Sequence, residues 1–179
     1  MNLNPIPLFG IGNTGKSVNV NAQERLNLYV EVKQDDENKH ILNLYGTPGL
    51  VSFVNFGAKP IRGAYQMGDL IYAAYDNKLY SITNAGTTAE LGTLDTSSGR
   101  VNFSDNGTQI MLVDGTYGYI WNTSTVTFTK ITDVDFPGAD TVTFLNGRFI
   151  VNKPDTGEFY WSSLYAGLNW AALDFATAE

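Results

Sequence analysis

The chain has 179 residues, 43% of them apolar, 13% aromatic and 16% charged, with 18 Gly. That is enough for one domain with a sizeable core, and it favours short strands and tight turns over helices. Its 11 Lys and Arg against 18 Asp and Glu leave a net charge of −7 with no basic run, which excludes a broad nucleic-acid-binding surface, and the absence of Cys excludes disulfides, thiolate metal sites and cysteine catalysis.

Residues 1–39 read as an N-terminal arm followed by a hairpin. Met1–Ser17 is rich in Gly, Asn and Pro, and it lacks the basic segment and apolar run of a signal peptide. No apolar stretch approaches the ~20 residues that span a bilayer, so a soluble, cytoplasmically folded chain is expected. Val18–Asn21 and Leu26–Val32 alternate apolar with polar residues, the period of half-buried strands. Lys33–Lys39 reads as a solvated charged turn: three acids are present, but the Gly and alternating ligands of a calcium loop are not. Residues 40–179 read as an incomplete β-propeller. A strand from Ile41 to Tyr45 leads into the turn Gly46-Thr-Pro-Gly49, and Leu50–Phe56 is expected to be an outer closing strand.

From Gly63 the sequence repeats. Gly68-Asp-Leu-Ile-Tyr, Gly107-Thr-Gln-Ile-Met and Gly147-Arg-Phe-Ile-Val lie 39 and 40 residues apart, each a turn followed by a buried strand. Tyr80, Ile120 and Tyr160 in the strands that follow lie 40 apart, and Gly63–Gln66, Val101–Ser104 and Val142–Leu145 precede each turn. Four short strands in about 40 residues is the arithmetic of a propeller blade; a β-sandwich is the rival architecture. The fold class is therefore all-β, a partial β-propeller of about three four-stranded antiparallel blades, at approximately 60–94, 100–133 and 140–179, after an extended arm. Three blades are too few to close a ring of ~4 to 8, so the chain is expected to be the N-terminal portion of a longer protein, its raw edge covered by self-association or further pairing.

Motifs for catalysis are weak. Gly10-Ile-Gly-Asn-Thr-Gly-Lys-Ser17 satisfies the P-loop pattern, and Ile110–Asp114 imitates the strand that would hold magnesium. Phosphate binding needs a buried strand before the loop and a helix after it. Here Pro5 and Pro7 precede the loop and Val-Asn-Val-Asn follows it, so no nucleotide site is expected. The single histidine, His40, ends the charged turn and has no triad pattern around it. Asp69, Asp76, Asp105, Asp114, Asp133, Asp135 and Asp140 could supply a glycosidase pair, but Asp69 and Asp105 recur beside Gly in successive units, which points to turn formation. Ser104-Asp-Asn-Gly-Thr imitates a sialidase turn without its usual Trp. Tyr65, Tyr72, Tyr75, Tyr80, Phe103, Tyr119, Trp121, Phe144, Tyr160 and Trp161 suit packing between blades better than a sugar platform. No catalytic, cofactor or metal residue is expected.

Several ordered stretches carry a family resemblance: Arg25-Leu-Asn-Leu-Tyr-Val-Glu, Leu44-Tyr-Gly-Thr-Pro-Gly-Leu, Pro60-Ile-Arg-Gly, Ser98-Gly-Arg-Val, Leu145-Asn-Gly-Arg-Phe, Phe159-Tyr-Trp-Ser-Ser and Leu173-Asp-Phe-Ala-Thr-Ala-Glu. By these the chain, from about Pro5 to Glu179, resembles the packaged-DNA stabilisation proteins of short-tailed phages, also called tail accessory factors or head-completion proteins. Members look more than twice this long. The resemblance implies a non-enzymatic structural protein of the virion tail, assembled in the host bacterial cytoplasm, that forms a ring of six copies beneath the portal and adaptor. It would retain the genome and dock the tail needle and tailspikes, without direct nucleic-acid or membrane binding. The family carries over no catalytic residues. Two segments outside the repeat are the expected partner contacts: Pro5, Pro7 and Phe9 in the arm, and Tyr45, Thr47 and Pro48 in the loop. A glycan-binding or glycan-hydrolysing propeller fragment is the alternative.

Overall fold

The computed structural model describes residues 28–34 and 40–178, and among them it contains strands and turns only. No helix among these residues is long and apolar enough to cross a membrane. The P-loop-like Gly10–Ser17, the strand expected at Val18–Asn21 and the charged tip 35–39 lie outside the described residues. So do Pro5, Pro7 and Phe9.

Two compact units divide after Ser52. In the first, β1 (Leu28–Gln34) and β2 (His40–Gly46) form an antiparallel hairpin with Leu28 opposite Gly46 and Gln34 opposite His40. The backbone ladder thus joins strands on either side of the expected 39/40 boundary.

The second unit holds three four-stranded antiparallel sheets in chain order. The first comprises β3 (Ile61–Met67), β4 (Leu70–Tyr75), β5 (Lys78–Ile82) and β6 (Thr88–Thr93). The second comprises β7 (Asn102–Asp105), β8 (Gln109–Val113), β9 (Gly118–Asn122) and β10 (Thr127–Lys130). The third comprises β11 (Val142–Leu145), β12 (Arg148–Asn152), β13 (Glu158–Trp161) and β14 (Phe175–Thr177). Each is a meander, and a lone meander cannot bury both faces. The sheets solve this by packing in sequence. Tyr72, Ala74 and Leu79 of the first meet Ile110, Leu112, Tyr119 and Trp121 of the second. Met111, Val113 and Ile120 on the second sheet's other face meet Phe149 and Val151 of the third. This is the partial propeller that the repeat predicts.

The 40-residue spacing does not preserve side-chain direction. Asn146 and Gly147, at φ of 51° and 80°, form a two-residue turn that leaves Leu145 opposite Arg148. In the second sheet Asp105 faces Ile110 across a longer loop. Because strands alternate faces, such differences change which residues point where. Ile120 accordingly looks toward the third sheet, and Tyr160, 40 residues on, looks back at the second from across the same cluster.

Leu50–Phe56 is not a strand. Each sheet already has four strands, and from Phe53 the segment covers the first sheet's remaining face with side chains instead. The Phe56 ring lies 5.4 Å from that of Tyr75 and 4.7 Å from that of Tyr80. Lys59 donates its backbone N–H to the Tyr75 hydroxyl at 3.2 Å.

Candidate interaction surface

A buried polar network is built on Arg62. The β3–β4 register slips between Ile61 and Gly63, so Arg62 is the extra residue of a β-bulge, a device that re-aims a side chain. The side chain turns into the second unit's interior beside the loop 94–100, and Arg62 is only 7% exposed. All five guanidinium N–H groups find acceptors. Nε donates to Gly99 O at 2.9 Å, Nη1 to Asp76 O at 2.8 Å and Thr96 O at 2.7 Å, and Nη2 to Thr96 Oγ1 at 2.7 Å and Ser98 O at 2.6 Å. None of these acceptors is a carboxylate. Burial pulls the Arg62 pKa below its ordinary value, against the opposing fields of Asp114, Tyr119 and Asp76.

The network continues into the second sheet. Thr96 Oγ1 donates to Asp114 Oδ2 at 2.6 Å. The Tyr119 hydroxyl donates to the same oxygen at 3.4 Å and accepts from the Asp95 backbone N–H at 2.8 Å. Burial first, and then the charges of Asp114 and Asp95, push the Tyr119 phenol up. Nearby, Tyr65 donates to Asp105 Oδ2 at 2.5 Å, and burial followed by that bond raises it to about 12.

Three of the candidate carboxylates, Asp105, Asp114 and Asp133, are tied to backbone. Asp114 Oδ1 accepts the backbone N–H of Thr116 and Tyr117, Asp105 Oδ1 accepts that of Gly107, and Asp133 holds those of Asp135 and Trp170. These are turn and loop ties, in keeping with the recurrence of Asp beside Gly. Among the described residues no cluster of three or more His, Cys, Asp or Glu could hold a metal ion. The aromatic set is mostly interior: Tyr72, Tyr119 and Trp121 are buried, Tyr65 stacks on Phe103 with centroids 6.1 Å apart, and Phe144 and Tyr160 pack in the second interface. Trp161 sits beside Phe159 on the opposite face of the third sheet from Tyr160.

Exposed apolar groups gather elsewhere. In the hairpin Tyr29 and Tyr45 are paired across the ladder and stack at 5.5 Å, yet are 51% and 38% exposed. Leu28 and Leu44, on the hairpin's other face, are also exposed. Thr47 and Pro48 follow in an exposed stretch without regular structure, and Leu50 and Val51 beyond them are almost wholly exposed. The structure thus places Tyr45, Thr47 and Pro48 in one exposed segment and adds Tyr29. Period-two alternation could have found Tyr29, since it puts this residue opposite Tyr45 once the hairpin is aligned. Arg62 lies in the quoted stretch Pro60-Ile-Arg-Gly, but its role depends on a bulge that no local pattern announces.

Residues 5–179 match a family described as "Bacteriophage P22 Gp10, beta-propeller". No curated protein matches the chain. Among solved structures, one similar chain is from PorZ, a surface component of the type-IX secretion system of Porphyromonas gingivalis, with 11% identity over 62% of this chain and a TM-score of 0.42. Another is from a Saccharomyces cerevisiae complex of Dbp5 with Nup159 and Gle1, with 9% identity over 80% of this chain and a TM-score of 0.40. This chain spans 15% and 33% of their respective lengths.

Proposed function

The chain belongs to the phage-stabilisation family of P22 Gp10 β-propellers, a family of phage structural proteins associated with packaged DNA, and from that premise we propose that it closes the portal channel as part of the virion tail. It acts by protein–protein assembly, as a six-copy ring that contacts portal or adaptor, tail needle and tailspike proteins. It assembles in the host bacterial cytoplasm. The observation that carries this reading is the family match over 175 of the 179 positions, residues 5–179. Two features support a role by contact: Asp105, Asp114 and Asp133 are tied to backbone N–H groups, while Tyr29, Tyr45 and the segment after them present apolar surface. Tyr45, Thr47 and Pro48, together with Pro5, Pro7 and Phe9 of the arm, are the contacts we assign to partners.

The test is coexpression with the portal and adaptor proteins of the same phage. Copurification is expected, and a chain lacking residues 1–17 or carrying Tyr45→Ser should be retained less well. Absence of association with portal, adaptor, needle and tailspike, with normal genome retention in particles lacking the chain, would overturn the proposal. Unaltered assembly after deletion of residues 1–17 would remove only the arm.

A further inference from the structure

Beside the Arg62 network lies a groove of about 440 Å³ lined by Lys59, Pro60, Ile61, Arg62, Asp76 and the loop from Ser97 to Arg100. Three of the chain's 11 cations converge there, in a molecule whose net charge is −7. One carboxylate opposes them. Asp76 Oδ2 holds the Lys59 ammonium at 2.5 Å, while its buried Oδ1 has no hydrogen-bond partner. Arg62 is fully bonded, but only to neutral oxygens, and the carboxylates of Asp114 and Asp76 act on it through their fields rather than by direct contact. Arg100 is exposed at the rim.

Thr96, Ser98 and Gly99 turn their carbonyls onto Arg62. In a planar trans peptide the N–H opposes the C=O, so the amides of Ser97, Gly99 and Arg100 point away from the guanidinium. The lining thus carries positive charge beside an apolar wall of Pro60 and Ile61, the latter 47% exposed.

We propose that this groove is a docking site for an acidic polypeptide segment of a partner protein, taking one carboxylate side chain against Arg100 and Lys59 and an adjacent apolar side chain against Pro60 and Ile61. A polyanion such as duplex DNA would meet the repulsion of the remaining acidic surface. A bare phosphate would leave the apolar wall unused. A short acidic-apolar segment satisfies both halves of the groove. The proposal rests on the reading of the chain as an assembly protein, and its test is independent of any known partner.

The probes are the capped peptides acetyl-Leu-Asp-Leu-amide and acetyl-Leu-Asn-Leu-amide, and inorganic phosphate, titrated into the full chain and followed by ¹H–¹⁵N NMR. A single such contact should bind in the ~1 mM range. Expected are saturable shifts of the Ser97–Arg100 amides and of the bonded Arg62 Nε–H with the Asp peptide, reduced at least about fivefold in affinity with the Asn peptide and in Arg100→Gln, a gap of about 1 kcal/mol. Absence of shifts overturns the proposal. So does equal binding of the Asn peptide, or phosphate binding as tight as the Asp peptide, which would make the groove a simple anion site. None of these failures would touch copurification with the portal, by which the assembly reading is tested.

Discussion

Arg62 is a buried cation solvated by the backbone: four carbonyl oxygens and one hydroxyl, drawn from the β4–β5 turn and the loop after β6, replace its water. Removing it strands several acceptors at once, and each buried unsatisfied group costs about 1–3 kcal/mol. Arg62→Met should therefore lower urea-unfolding stability by roughly 3 kcal/mol or more, and Arg62→Lys by about 1–2 kcal/mol, because lysine keeps the charge but has three donors instead of five. Arg100→Gln, at the exposed rim, should change it by no more than about 0.5 kcal/mol. Equal effects at the two positions would show that the network contributes little. The two raised phenols make a second test. Tyr65 rises to about 12 and Tyr119 also rises, against an ordinary phenol near ~10. Both therefore favour the folded state fully below about pH 10, and that contribution is lost as pH climbs through their folded values. Ultraviolet titration should show the two ionising after the exposed tyrosines, and Tyr65→Phe should remove one late phase.

At the scale of the element, the strands follow from alternation and turn chemistry, but their mutual approach does not. Where β3 passes β7, the Val101 N–H donates to Arg62 O at 3.0 Å, and a Cβ on Gly63 would lie 2.1 Å from Val101 O. A backbone oxygen cannot step aside as a side-chain tip can. Gly63→Ala should therefore cost roughly 2–3 kcal/mol by forcing the two inner strands apart. Differential scanning calorimetry of the single mutant measures this, and a loss below about 0.5 kcal/mol would mean that the strands yield easily. The reading of Leu50–Phe56 as a strand missed for a related reason. Its composition suits a ladder, yet the chain uses Phe56 to cover Tyr75 and Tyr80, and a stacked ring satisfies an apolar face without any backbone pairing.

For the whole molecule, 18 acids against 11 bases leave long-range repulsion toward other polyanions. No retention on a duplex-DNA column is expected at about 0.1 M salt, and retention that falls steeply with added salt would contradict the reading by showing counterion release from a basic face. Family membership places the chain with phage structural proteins that stabilise packaged DNA.

The residues by themselves determined the all-β class, most strand positions in the three four-stranded sheets, though not β14, and the exclusion of thiol chemistry, because period-two alternation, Gly and Asn turns and composition are local properties. Tyr45, Thr47 and Pro48 were legible as an exposed segment because they interrupt the repeat. Only the tertiary structure decided which face each strand turns to its neighbour, that Arg62 occupies a bulge and gathers a loop 34 to 37 residues away, and that three cations share one groove. These depend on register and on contacts between sheets, where one extra residue reverses a side chain's direction.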